Sequence, residues 1–228
     1  MKLQAVLFDF DGIIVDTEPL HHQAFCRVLE PLHLPLSWGQ YYEHYLGFDD
    51  RDVLRTRFRE EGIHLDEDTM RRLMREKAEA FVGLIRSKGV KAYPGVVELA
   101  RSLRRVMPVA ICSGALKSDI DPVLEMLGLN DCFSVMVTAD QVHVSKPDPE
   151  SYREAFRRLQ QMFPDRVRDP GCCVAIEDTP AGVDAATGAG LRVLAVQNTY
   201  EPEALSKAGR VVASLSSVDM TQLDALVV

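Results

Sequence analysis

Two aspartates separated by one residue, Asp9 and Asp11, with Gly12 behind them, directly follow the short apolar run Ala5 to Phe8. Carboxylates at that spacing can divide labour: one attacks or binds a metal, while the other carries a proton to and from the reacting oxygen. The same residues also suit a polar strand end or a calcium-type turn, although an EF-hand loop needs a third acid and a later glutamate at fixed spacing. Three further clusters follow along the chain. Ser113-Gly114 closes the run Val109 to Cys112, where a hydroxyl and backbone N–H groups can cradle a phosphate or simply turn the chain. Ser145-Lys146-Pro147-Asp148-Pro149 sets a lysine in a stretch stiffened by prolines, either an anchored cation for phosphoryl oxygens or a solvated surface lysine. Glu177-Asp178 comes directly after Cys173 to Ile176 and before Thr179-Pro180-Ala181-Gly182, a hard-oxygen pair that suits Mg²⁺ and is equally placed to cap a helix.

These clusters need elements to hold them. Ala5 to Phe8, Val109 to Cys112, Val135 to Val137, Cys173 to Ile176 and Val193 to Val196 are too short and too uniformly apolar for amphipathic helices, and read as strands covered on both faces. Helical patterns lie between them at Val96 to Arg105, Ile120 to Leu127, Tyr152 to Gln161 and Ala181 to Ala189. The alternation predicts an α/β fold, a doubly wound parallel sheet with right-handed crossovers. Ligands of such sheets bind beyond the carboxyl ends of the strands, and all four clusters fall at or after such ends.

From about Asp16 to Ala92 no strand pattern occurs. Helices are predicted at Leu20 to Leu32, at Trp38 to Leu46 with Ser37 as N-cap, at Arg51 to Glu60 after Asp49-Asp50, and at Glu67 to Arg86 after Asp66. The expectation is an all-helical cap domain over residues 16–92, inserted into a core domain of residues 1–15 and 93–228.

The 228 residues, 46% apolar, suffice for a sizeable core. A formal charge of −8 disfavours nucleic acid and anionic membrane as partners, and no apolar stretch approaches a bilayer span. Small molecules fit better, and the absence of a signal-peptide pattern is read as a cytoplasmic location. Five irregularly spaced cysteines without a CxxC pair argue against a disulfide framework or a structural zinc site. Without a heptad repeat, a monomer is expected.

Acid pair, hydroxyl, lysine, acid pair: taken in order, Asp9-Phe10-Asp11-Gly12, Ser113, Lys146-Pro147 and Glu177-Asp178 resemble the four motifs of the haloacid dehalogenase superfamily, a large group of mostly phosphatases. The resemblance covers nearly the whole chain. The helical insert is similar to the small cap of the subgroup holding phosphoglycolate phosphatase-like and beta-phosphoglucomutase-like enzymes, and Asp16-Thr17-Glu18-Pro19 with His21 looks closest to the latter. The resemblance implies a Rossmann-like core and a Mg²⁺-dependent phosphatase that hydrolyses a small phosphomonoester through an aspartyl phosphate. Asp9 is then the nucleophile and Asp11 the general acid/base, Ser113 with Gly114 holds a phosphoryl oxygen, and Lys146 pairs with the nucleophile and the transferring group. Mg²⁺ is implied at Asp9, Asp178 and the backbone carbonyl of Asp11, with Glu177 a direct or outer ligand.

The cap loop departs from the mutase-like pattern, which has a lysine before a glycine and an arginine shortly after. Here Leu46 precedes Gly47, and Asp49, Asp50 and Arg51 follow. A mutase must retain a doubly phosphorylated intermediate, so a weakened cationic loop favours hydrolysis, with a sugar-phosphate mutase as the alternative. His21 and Arg51 are candidate substrate contacts. Phosphonate cleavage would require a cap lysine such as Lys77, dehalogenation is disfavoured by the presence of Asp11, and a non-catalytic binding module by the completeness of the motifs.

Overall fold

A computed structural model of the protein describes residues 3–227. Six parallel strands form one sheet: β1 (Ala5–Phe8), β2 (Val109–Cys112), β3 (Val135–Val137), β4 (Cys173–Glu177), β5 (Arg192–Val196) and β6 (Arg210–Val212), in the order β3-β2-β1-β4-β5-β6. This is the doubly wound sheet that the alternating pattern predicts. Strand order reverses between β1 and β4, and the crevice at that switch point is where such sheets bind ligands.

Side chains of a strand alternate between its faces, so an all-apolar run needs cover on both. Val6 and Phe8 of β1 join Val174 and Ile176 of β4 in one core, whereas Ala5 and Leu7 join Cys173 and Ala175 in the other. The helices numbered after the cap supply the cover. On the first face lie α5 (Val96–Arg104), α6 (Lys117–Leu127) and α9 (Met220–Asp224), and on the second α7 (Glu150–Met162) and α8 (Pro180–Gly188).

The helical cap carries α1 (Glu18–Leu29), α2 (Trp38–His44), α3 (Asp50–Glu60) and α4 (Glu67–Lys88), with a third core of its own around Phe25, Leu54, Phe58 and Leu73. Each start has a local cause. Ser37 and Gln40 form a capping box on α2, Asp49 accepts from the Asp52 N–H, and Asp66 accepts from the Thr69 N–H. The helix predicted as far as Leu32 stops being α-helical at Leu29 and finishes as a 3-10 turn through Pro31, which has no N–H to continue the ladder. The two chain crossings between cap and core are tied together: Val15 bridges Ala92, and the Tyr93 N–H donates to the Ile14 carbonyl at 3.0 Å.

Among the described residues, the edge strand β6, the short α9 and three brief 3-10 turns have no counterpart in the predicted set. Cys112, Cys132 and Cys173 are buried, Cys26 and Cys172 half-buried. Among the described residues no helix is long and apolar enough to cross a membrane.

Candidate active site

Strand register brings the carboxylates together. Phe8 lies level with Ile111 on one side and Ile176 on the other, so the next rung holds Asp9, Cys112 and Glu177 side by side. The Asp9 N–H donates to the Ile176 carbonyl at 2.9 Å, fixing the chain where it leaves β1. Gly12 then turns back at φ +78°, a left-handed conformation that glycine adopts without steric cost. A Cβ at that position would overlap the Asp178 carboxylate, so glycine is also what lets these two segments touch.

Lys146 reaches this rung from the loop after β3. The loop is held by Glu150, whose carboxylate accepts from the His143 and Val144 N–H groups. The Lys146 ammonium donates to Asp9 Oδ1 at 2.7 Å, Glu177 Oε1 at 2.6 Å and the Cys112 carbonyl at 3.1 Å, and stands 5.1 Å from the centre of the Tyr152 ring. Glu177 is wholly buried and consumed by donors: Lys146, the Tyr152 hydroxyl at 2.7 Å and the Asp178 N–H at 3.2 Å. Gly182 lets the first turn of α8 press onto it, because a Cβ there would overlap the Glu177 carboxylate.

Asp9, Glu177 and Asp178 each place one oxygen within 4.8 Å of the others, a cluster that could hold a metal ion. Three carboxylates face one lysine there. Asp178 is 1% exposed; its Oδ2 accepts from Thr199, while Oδ1 is buried with no hydrogen-bond partner. Burial, then the charges of Asp9 and Glu177, push the Asp178 carboxyl well above its ordinary value. Burial first and Glu177 second likewise push Asp9 up to about 7 against the pull of Lys146. An orphaned buried oxygen in a set of hard donors with surplus negative charge fits a small divalent cation.

Asp11 faces the cap. Thr17 donates to its Oδ1, and His21 Nε2 lies 3.5 Å from the same oxygen. His21 is stacked on Phe81, and its Nδ1 meets the Lys77 ammonium at 2.6 Å. Lysine can only donate, so Nδ1 accepts and Nε2–H points at Asp11. Burial opposes ionisation of Asp11, yet His21, Thr17 and Lys77 together hold its carboxyl below the ordinary value.

Asp9, Asp11, Gly114, Lys146, Asp178 and His21 line one cavity of about 90 Å³, roofed by the cap. Ser113 is buried next to the lining residues Gly114 and Ala115 and does not itself line the cavity; its Oγ accepts from the Ala115 N–H at 2.9 Å, which leaves its own proton to donate. Arg51 is the exception. It is exposed and not brought to the cavity, because α3 begins at Asp50 and each helical residue turns about 100° from the last. Asp49 and Asp50 face the cavity in its place. Lys77 is wholly buried between His21 and Asp50, without the accessible amine that Schiff-base chemistry requires.

A family model described as haloacid dehalogenase-like hydrolase matches residues 6–196, most of the chain and every cluster above. The chain belongs to that family. It is accordingly an enzyme fold of the hydrolase type, and its relatives agree. A phosphorylated carbohydrates phosphatase of Thermotoga maritima is 32% identical over 217 residues, 92% of this chain and 93% of that protein. The CbbY protein of Rhodobacter sphaeroides, solved in complex with phosphate, superposes with a TM-score of 0.85 at 26% identity, covering 97% of this chain and 99% of that one. A beta-phosphoglucomutase of Clostridium difficile superposes with a TM-score of 0.84 at 25% identity, covering 99% and 97%.

Three contacts of this family member escape sequence reading. Tyr152 was legible only as a helix residue, and Asn198 and Thr199 follow β5 without a motif, although the carboxyl end of a parallel strand is the place to look. Asn198 donates to the Gly12 carbonyl at 2.7 Å and Thr199 to Asp178.

Proposed function

We propose that this hydrolase is a Mg²⁺-dependent phosphatase that cleaves a small phosphomonoester through a phosphoryl group carried on Asp9. The observation that carries the reading is the Asp9 carboxylate held against Lys146 and beside the orphaned Oδ1 of Asp178, with Asp11 two residues on in the same cavity. In the first half-reaction an Asp9 oxygen bonds to phosphorus as the ester P–O bond breaks, and the leaving oxygen takes a proton from Asp11. In the second, water attacks phosphorus, Asp11 takes its proton, and the bond to Asp9 breaks to release phosphate. The free site keeps Asp11 ionised, which suits the second half; the bound ester dianion, a like charge alongside, raises its proton affinity for the first.

Lys146 neutralises negative charge on Asp9 and on the transferring oxygens, and Ser113 with the Gly114 N–H holds one of those oxygens. Glu177 works through Lys146, since all its contacts are donors of the chain itself. Asp9, Asp178 and the Asp11 carbonyl would hold Mg²⁺, which would supply further positive charge on the phosphoryl side. The cap, residues 16–92, excludes bulk water from a core of residues 1–15 and 93–228, and the substrate is a small molecule. The mutase reading shares every one of these groups and differs only in the acceptor of the phosphoryl group.

The test is phosphate release from a panel of sugar phosphates, phosphoglycolate and p-nitrophenyl phosphate, with Mg²⁺ or EDTA. Release that requires Mg²⁺ and is lost in Asp9→Asn is expected. Conversion of primed beta-glucose 1-phosphate to glucose 6-phosphate without free phosphate would replace this reading with the mutase.

A further inference from the structure

The cap side of the cavity, where the leaving group of the ester must sit, carries three carboxylates beside the His21 imidazole, whose Nε2 is turned to Asp11. Glu18 at the start of α1 and Asp49 and Asp50 at the start of α3 line it beside Asp11. Lys146 is the sole lysine or arginine among the described lining residues, and Asp9 and Glu177 already engage it. Lys77 is wholly buried and bonded to His21 and Asp50, and Arg51 is exposed and does not line the cavity.

These carboxylates are held, not loose. Asp49 accepts from the Asp52 N–H at 2.8 Å through Oδ1 and from the Ser145 hydroxyl through Oδ2, pinning it across the cap–core seam one residue from Lys146. Glu18 accepts from the Tyr41 hydroxyl at 2.6 Å through Oε2. A carboxylate offers about four acceptor sites, so each retains capacity for a donor on the ligand. The same cavity is marked as a ligand site by the unpartnered, buried Asp178 Oδ1. A phosphoryl group has Lys146 and the end of β2 to meet it. A second anion on the leaving group meets Glu18, Asp49 and Asp50, and the Tyr41 and Ser145 hydroxyls beside them already donate to Glu18 and Asp49.

We infer that this acidic cap wall selects substrates by the charge of the leaving group: the enzyme takes monophosphates whose leaving group is neutral or bears an ammonium, with hydrogen-bond donors, and turns away esters carrying a carboxylate or a second phosphate. The inference rests on the phosphatase reading for its turnover and adds the substrate class to it. Like charges brought together in a partly desolvated cavity repel strongly, and the opposite pairing attracts by the same physics.

The experiment uses esters matched in size: 2-aminoethyl phosphate, 2-hydroxyethyl phosphate and phosphoglycolate, with glucose 6-phosphate and glucose 1,6-bisphosphate as a larger pair. Turnover is read as kcat/KM on the wild type, and binding by calorimetry on Asp9→Asn with Mg²⁺, so that selectivity is visible without catalysis. The expected kcat/KM falls from ammonium to hydroxyl to carboxylate by about 10- to 100-fold overall, and from the mono- to the bisphosphate similarly. Glu18→Gln and Asp49→Asn, the latter keeping the helix cap, should each compress the ammonium-to-carboxylate ratio. Phosphoglycolate or the bisphosphate used as well as its partner, or a ratio untouched in both variants, would overturn the inference. Graded calorimetric binding with no phosphate released from any ester would uphold the charge selection while sinking the phosphatase reading.

Discussion

Gly12 shows how much can hang on one backbone conformation. Its φ of +78° and its contact with the Asp178 carboxylate leave no room for a side chain. Gly12→Ala should cost about 1–2 kcal/mol of strain alone, before any displacement of Asp178. Urea denaturation would read the stability loss, and a Mg²⁺ titration of activity should shift to higher concentration as the cluster is distorted. Asp178 carries the complementary prediction. A cation bound at 100 times its Kd adds about 2.7 kcal/mol to folding stability, so Mg²⁺ should raise the melting temperature of the wild type and leave Asp178→Asn nearly unmoved. A Tm that ignores Mg²⁺ in both proteins would count against a metal at this cluster.

Helix α7 illustrates support at the scale of an element. Glu154 accepts from Arg157 at 2.7 Å through both carboxylate oxygens and from Arg158 at 2.7 Å, and these bonds, Arg157 first, hold its pKa down to about 2. A carboxyl depressed on folding contributes stability above its unfolded pKa, near 4.3, and loses it as pH falls toward 2. The cluster is partly solvated, so Glu154→Gln should cost no more than about 1 kcal/mol at pH 7. That difference should shrink between pH 5 and pH 3 in chemical denaturation; a constant difference across the window would show that charge is not its source. In the cap, Ser37→Ala removes one half of a capping box and should cost α2 about 1 kcal/mol.

Across the whole molecule, Lys77 joins what the chain keeps apart. It leaves α4 of the cap, donates to Asp50 of α3 at 2.7 Å, and lies 3.7 Å from Asp119 of the core helix α6, with Phe25 and Phe81 beneath its ammonium. Asp50 Oδ2 and Asp119 Oδ2 are buried without hydrogen bonds, so Lys77 is the charge that both depend on. Lys77→Met strands the buried Asp119 and the partly buried Asp50 and should destabilise by about 3 kcal/mol. In a double-mutant cycle with Asp119→Asn the losses should fall short of additivity by about 1 kcal/mol or more, whereas strict additivity would mean that cap and core do not communicate through this pair.

The sequence by itself determined the kind of most elements and singled out the polar residues that the structure gathers at the carboxyl end of the sheet. Asp9, Asp11, Ser113, Lys146, Glu177 and Asp178 were legible because each stands at or beyond the end of an apolar run, and period and punctuation are local properties of a chain. Strand β6 was not, since Arg210–Val212 lies at a half-exposed edge and needs no continuous apolar run. The phase of α3, which turns Asp50 inward and Arg51 outward, and the meeting of His21 with Lys77 across 56 residues were decided by tertiary packing. So was the pairing of Glu177 with Tyr152 and of Asp178 with Thr199. Local periodicity says which way a side chain points relative to its own helix or strand. Which side chains meet depends on how those elements are spaced and rotated against one another, and close packing of the three cores sets that.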